Sequence, residues 1–124
     1  MFQAPLIQRI GGKASIVTAV DLFYDKVLKD DRINFFFENT DMEKLRSHQK
    51  AFMIYAFGGL PAYSGRNMRD AHKRLVEEKG LNESHFNAVA ENLRHTLVEL
   101  NVPEDLIFEV MDIIAHTKDD VLNR

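Results

Sequence analysis

Five histidines and no cysteine bound the side-chain chemistry open to this 124-residue chain. Without sulfur there is no thiol nucleophile, no thiolate metal site and no iron–sulfur cluster. Imidazole is then the main candidate, since it titrates near neutral pH and also ligates metals. His48 and His72 both fall at helical spacing among apolar residues, His48 with Leu45, Gln49, Phe52 and Ala56, and His72 with Met68, Leu75 and Val76. Each is either a neutral imidazole hydrogen-bonded inside a core or a ligand pointing into a pocket. Zinc needs three or four ligands at short spacing. Neither face offers HxxxH or HxxE, and Glu43 lies five residues from His48 and off its face. Haem needs one axial imidazole and a wide apolar slot. Nine Phe and five Met suit such walls, as they suit any core.

Helices are needed to hold these residues. Val17, Val20, Tyr24 and Val27, with Phe23 and Leu28, recur at steps of three and four, which predicts a helix with one buried face ending near Asp30-Asp31. Ile33, Phe35, Phe36 and Phe37 then crowd rings into a corner. Asp41 is the expected N-cap of a second helix running through Phe57. Gly58 to Gly65, with Pro61, predicts a loop, followed by a shorter helix that carries His72 and that Gly80 closes. Asn82 is expected to cap the next helix, where Phe86, Val89, Ala90, Leu93, Leu97 and Leu100 form a regular 3.6-residue stripe. Pro103 opens a last helix carrying Leu106, Val110, Ile113, Ile114, Thr117 and Val121 inward. With no strand alternation, repeat or linker, a single all-α domain over residues 1–124 is expected.

A composition of 45% hydrophobic and 28% charged residues with a formal net charge of −3 describes a globular chain, not a basic binder of nucleic acid or anionic membrane. The apolar run Ala51 to Phe57 stops at Gly58-Gly59, far short of the roughly 20 residues a membrane helix requires. The first residues lack the basic and apolar regions of a secretory signal, so a cytoplasmic location is expected. No long surplus apolar stripe is visible, and a monomer is expected.

Many short motifs follow one another in a fixed order: Gly11-Gly12, Phe23-Tyr24, Ile33 through Phe36-Phe37 to Asn39-Thr40-Asp41-Met42, His48-Gln49-Lys50-Ala51-Phe52, Tyr55-Ala56-Phe57-Gly58-Gly59, Gly65-Arg66, Met68-Arg69, Ala71-His72, His85-Phe86, Val89-Ala90, Val102-Pro103 and Val121-Leu122-Asn123. In these the chain resembles the group I truncated haemoglobins, particularly the cyanobacterial and protist type, over nearly its whole length. The resemblance implies a two-over-two α-helical sandwich around non-covalent haem b, with His72 as the proximal iron ligand. It implies Tyr24 and Gln49 on the distal side, where a phenol and an amide can hydrogen-bond a partly negative dioxygen. Phe36, Phe37, Phe52, Phe57, Phe86 and Val89 would wall the haem, with Met68 beside His72. Lys44, Arg66 and His85 are the implied partners of the propionates. His48 matches a position that in cyanobacterial members can swing onto the sixth coordination site; the alternative is an exposed place at the pocket rim.

Two positions depart from that pattern. Leu45 stands where relatives commonly carry a distal Gln, which removes a donor. The last-helix His that some cyanobacterial relatives bond covalently to a haem vinyl corresponds to Thr117, and His116 is one step, about 100° of rotation, away. Haem is therefore expected to be released intact. Arg69, Lys73 and Arg74 read as a solvated charged face. The implied function is binding of dioxygen, nitric oxide or carbon monoxide at iron, with conversion of dioxygen and nitric oxide to nitrate when an unidentified external reductant is present. A non-catalytic oxygen carrier or gas sensor would use the same pocket. A cofactor-free helical interaction module is the remaining alternative, and it predicts no Soret band.

Overall fold

Gly11 and Gly12 set where the first long helix begins. Gly11 has φ +114°, and a Cβ there would collide with Ser15 Oγ; Gly12, at φ +83°, is the residue before that helix. Both angles are costly for a residue with a side chain. The computed structural model describes residues 4–58 and 65–124, except the side chains of residues 55, 56 and 65–67. Its helices are α1 (Leu6–Arg9), α2 (Lys13–Leu28), α3 (Met42–Gly58), α4 (Gly65–Lys79), α5 (Glu83–Glu99), α6 (Glu104–Ala115) and α7 (Lys118–Val121), with a 3-10 turn at Asn34–Phe37. No strand occurs among the described residues. The predicted loop between Gly58 and Gly65 lies outside them.

The ends of the elements follow their sequence signals. Asp41 Oδ1 accepts from the Lys44 N–H at 3.1 Å, capping α3. Asn82 Oδ1 accepts from the Ser84 N–H at 2.9 Å, while His85 Nδ1 accepts from the Asn82 N–H at 3.1 Å, so a His fills the reciprocal position of a capping box on α5. Gly80, at φ +70°, stops α4 as expected, and the Leu81 N–H reaches back to the Leu75 carbonyl at 3.0 Å.

The pair α2–α3 is layered on the pair α5–α6 through contacts of α2 with α5. This is the two-over-two sandwich. Ile16, Val20, Val27, Ile33, Thr96, Ile107 and Val110 are fully buried at its centre. Two expectations need correction. Val17 and Leu28 are 40% and 36% exposed, because the buried line of α2 runs through Ile16, Ala19, Val20, Phe23, Tyr24 and Val27 instead. The last helix is two: Thr117 donates both its N–H, at 3.0 Å, and its hydroxyl, at 2.7 Å, to the Ile114 carbonyl, which breaks the i→i−4 ladder between α6 and α7. The ring-filled corner forms as expected, with the Phe35 and Phe36 rings 4.2 Å apart and Phe36 buried. A single turn such as α1 is too short to show periodicity; it is pinned by Arg9, which donates to Glu109 at 2.5 and 2.9 Å.

Candidate functional site

Helix α3 has two distinct faces. Met53 and Phe57 are buried in the core. Leu45, Phe52 and His48 lie about 100–160° round the helix from that line, and none of the three is buried. His48, the furthest round, is exposed, and Gln49 is half-buried between the two faces. Leu45 and Phe52 pack partly buried against the core, whereas His48 at the end of that face is exposed; Ala56 lies outside the described side chains. Helix α4 has the same character. Met68, His72, Leu75 and Val76 run along one side, all half-buried, with Leu75 packed against the core, and no described residue of α4 is fully buried. Two helices thus carry apolar faces that the protein covers only in part, which fits a bulky apolar prosthetic group.

His72 is held in one tautomer. Its Nδ1 lies 2.8 Å from the Met68 carbonyl, which can only accept, so Nδ1 carries the proton and Nε2 keeps a free lone pair. Burial pushes the His72 pKa below the ordinary imidazole range, opposed in part by the Met68 carbonyl, so the ring is neutral at pH 7. Among the described residues no three His, Asp or Glu gather to hold a metal without a prosthetic group.

Tyr24 is 6% exposed, with its ring 4.9 Å from Phe23 and edge-on to Phe37 at 6.2 Å. Its hydroxyl makes no hydrogen bond among the described residues, yet no described side-chain polar atom is sealed without a partner, so the hydroxyl is not fully enclosed. Burial raises its pKa well above the ordinary phenol range, with Arg46 opposing, which keeps it a protonated donor. Sequence reasoning missed Arg46. Its guanidinium lies 5.8 Å from the Tyr24 ring centroid and donates to the Asp21 carbonyl at 3.1 Å and to Asp25 Oδ1 at 3.0 Å. Lys50 adds a pair to Asp21 at 3.1 Å. The signal was present: Asp21 and Asp25 are four apart on α2, as Arg46 and Lys50 are on α3.

The other expected site residues are dispersed. Phe36 stacks edge-on against the His85 ring at 4.9 Å. His85 has Nδ1 engaged in the helix cap, so Nε2 is its remaining nitrogen for any propionate. Phe86 is half-buried with the Lys118 ammonium 5.8 Å from its ring, and Val89 packs half-buried against the core. Lys44 is exposed, and the Arg66 side chain lies outside the described residues. Lys73 and Arg74 are exposed as expected, but Arg69 is not merely solvated: it donates to Asp120 Oδ1 at 2.8 Å and to the Arg124 carbonyl at 2.5 Å. A separate apolar cavity of about 280 Å³, lined by Ile16, Ala19, Met53, Phe57 and Leu97, lies on the core-facing side of α3.

Comparison with known proteins gives the family of the chain. A family profile described as bacterial-like globin matches residues 6–123. A group 1 truncated haemoglobin, GlbN of Synechocystis, is 57% identical over 122 residues, covering 96% of this chain and 98% of its own. The chain belongs to the group 1 truncated haemoglobins. A crystal structure of a 2/2 haemoglobin from Synechococcus, in the cyanomet state and with covalently attached haem, superposes with TM-score 0.92 at 54% identity, covering 98% of this chain and all of that one. THB1 of Chlamydomonas reinhardtii superposes with TM-score 0.85 at 42% identity, covering 98% of each chain. Haem b is accordingly the cofactor of this truncated haemoglobin, and its iron binds gas ligands. No helix among the described residues is long and apolar enough to cross a membrane.

Proposed function

We propose that this truncated haemoglobin binds dioxygen, nitric oxide and carbon monoxide at a haem iron held by His72, and that with an external reductant it converts dioxygen and nitric oxide to nitrate. The observation that carries the reading is the neutral His72 imidazole, with Nδ1 committed to Met68 and Nε2 without a hydrogen bond among the described residues, on the half-buried apolar face of α4. When bound, haem supplies the ligand-binding and redox-active iron. The chain supplies the rest. His72 holds the prosthetic group and fixes its orientation. The Tyr24 hydroxyl and the Gln49 amide donate to a polar diatomic ligand, and the low polarity around Phe37, Phe52 and Val89 keeps water from competing for those donors. Lys44, Arg66 and His85 meet the carboxylates at the rim. Exposure of His48 supports a residue at the rim that reaches the sixth position only by swinging inward.

Purified protein titrated with haemin should show a Soret band of the nitrogen-ligated type. His72→Ala should lose it, and added imidazole should restore it. An Ala variant with the parent's spectrum would overturn the assignment of His72. Nitrate should form from nitric oxide and the dioxygen-loaded ferrous protein in one turnover, and repeatedly when a reductant is added. A single turnover without nitrate would leave a carrier of gas.

A further inference from the structure

The helix that carries His72 has no described residue fully buried in the core, and Leu75 packs against the core only partly buried, so a second element helps to fix it. α4 packs against α7, a helix of one turn. Among the described residues, three hydrogen bonds join α4 to α7 and to the two residues that end the chain after it. Asn123 Nδ2 donates to the Arg69 carbonyl at 3.1 Å, Arg69 Nε donates to Asp120 Oδ1 at 2.8 Å, and Arg69 Nη2 donates to the Arg124 carbonyl at 2.5 Å. Asn123 sits at φ +57°, a left-handed conformation that Asn tolerates better than most residues. There the chain folds back, so that the Arg124 N–H bonds the Asp119 carbonyl at 2.9 Å and its guanidinium meets Asp119 Oδ1 at 3.0 Å. α7 is itself held from the other side: Leu122 is buried, and Lys118 pairs with Glu83 at the start of α5. An isolated turn of helix has no stability of its own. Anchored this way, it becomes a bridge between α5 and α4.

The bridge grips α4 beside the carbonyl that matters. Arg69 follows Met68, whose carbonyl accepts the His72 Nδ1–H. We propose that Arg69, Asp120 and Asn123 are positioning residues that fix the His72 imidazole by tying α4 to α7. The proposal rests on His72 being the axial ligand. A loosened α4 lets the ring tilt and weakens the Nδ1 hydrogen bond, which lowers the basicity of Nε2 and the strength of its bond to a metal.

The test uses haem-loaded protein with Asn123→Ala and Arg69→Ala, with Arg69→Lys as the conservative replacement. Arg32→Ala serves as control, since Arg32 pairs with Asp30 and Glu91 and has no hydrogen bond or ion pair with a described residue of α4. The two Ala variants at the clasp should lose haem to excess apomyoglobin on the order of 10-fold faster than the parent. In a His48→Leu background, which leaves one axial imidazole, the iron–histidine stretching band of the ferrous form should move to lower frequency. Amides of residues 72–79 should exchange faster while those of α2 do not. Arg69→Lys, keeping the pair with Asp120, should fall between. Arg32→Ala should lower thermal stability and leave haem loss and the stretching band unchanged. Clasp variants with the parent's haem loss and band, or an Arg32→Ala variant that reproduces theirs, would overturn the proposal. If the parent takes up no haem, the axial-ligand reading has failed. The tie between α4 and α7 is then judged on exchange of the α4 amides without haemin, and unchanged exchange in Asn123→Ala overturns it.

Discussion

A buried tyrosine whose hydroxyl has no partner among the described residues is a donor waiting for an acceptor, and its raised pKa keeps the proton in place at neutral pH. Tyr24→Phe removes that donor and little else. A hydrogen bond to a charged or strongly polarised acceptor contributes about 1.5–3 kcal/mol, so dioxygen should escape about 10- to 100-fold faster from the variant. Carbon monoxide, less polar when bound, should escape nearly as before. Flash photolysis with both gases checks this, and an equal change for the two would show that the hydroxyl is not the donor. His48 makes a separate kinetic prediction. If it must leave the sixth position before a gas can enter, the observed binding rate levels off at high ligand concentration, and His48→Leu makes the rate linear. Linear traces for the parent would place His48 permanently at the rim. Covalent attachment is also decided by single residues. Thr117 is 6% exposed with its hydroxyl bonded to Ile114, and the His116 side chain is 77% exposed with Nδ1 held 2.7 Å from the Asp112 carbonyl. Neither is suited to reach a haem vinyl, so acidified butanone should extract all the haem; a mass of protein plus haem under denaturing conditions would contradict that.

At the scale of elements, the link between α2 and α3 combines apolar packing with the Asp21, Asp25, Arg46 and Lys50 pairs. Both acids are about half exposed, which keeps the net effect of each pair small. Arg46→Ala should therefore cost only about 1 kcal/mol in urea unfolding. It should nonetheless speed dioxygen escape, because the guanidinium that stands over the Tyr24 ring is gone; Asp25→Asn, which leaves it there, should not. Unchanged dioxygen escape in Arg46→Ala would limit Arg46 to joining helices. Such links explain which parts of the molecule could be read from the sequence. α2, α3, α4 and α5 were legible because long helices repeat their apolar residues and because Asp41, Gly80 and Asn82 are chemically suited to the ends they occupy. Periodicity says that a face is apolar, not what covers it. Hence the sequence leaves His48 open between a core, a pocket and an exposed rim, and it is exposed; Arg69 reads as solvated and proves to be bonded to Asp120 of α7. The break at Thr117 depends on one side-chain hydroxyl competing with the backbone, which leaves no trace in the hydrophobic pattern.

Over the whole molecule, ion pairs run between elements: Arg9 of α1 to Glu109 of α6, Arg46 and Lys50 of α3 to Asp21 of α2, Arg32 to Glu91 of α5 beside Asp30, and Lys118 of α7 to Glu83 of α5. The carboxylates respond together. The Arg32 guanidinium, with Asn92, holds Asp30 far below the usual range; Lys118 lowers Glu83 and Arg9 lowers Glu109. Burial raises Asp21, but Lys50 and Arg46 outweigh it and leave it lowered. A carboxylate with a depressed folded pKa stabilises the fold fully above its unfolded value, near 4, and loses that contribution as pH falls through the folded value. These groups therefore predict a thermal midpoint that is insensitive to them between pH 7 and about 5 and falls progressively below about 4. Because most of the acids are partly exposed, 1 M salt, which shortens the screening length to about 3 Å, should shrink the difference between pH 7 and pH 3. Asp30 is the exception, with a side chain only 11% exposed and Asn92 Nδ2 bonded to it at 2.9 Å. Asp30→Asn should flatten the acid limb more than Glu109→Gln, and its effect should survive salt. Haem-free protein is the right sample for this measurement, since haem bound at 1,000 times its dissociation constant adds about 4 kcal/mol of its own. A midpoint that rises on acidification, or an Asp30→Asn variant with the parent's acid limb, would mean that these pairs do not set the acid stability of the fold.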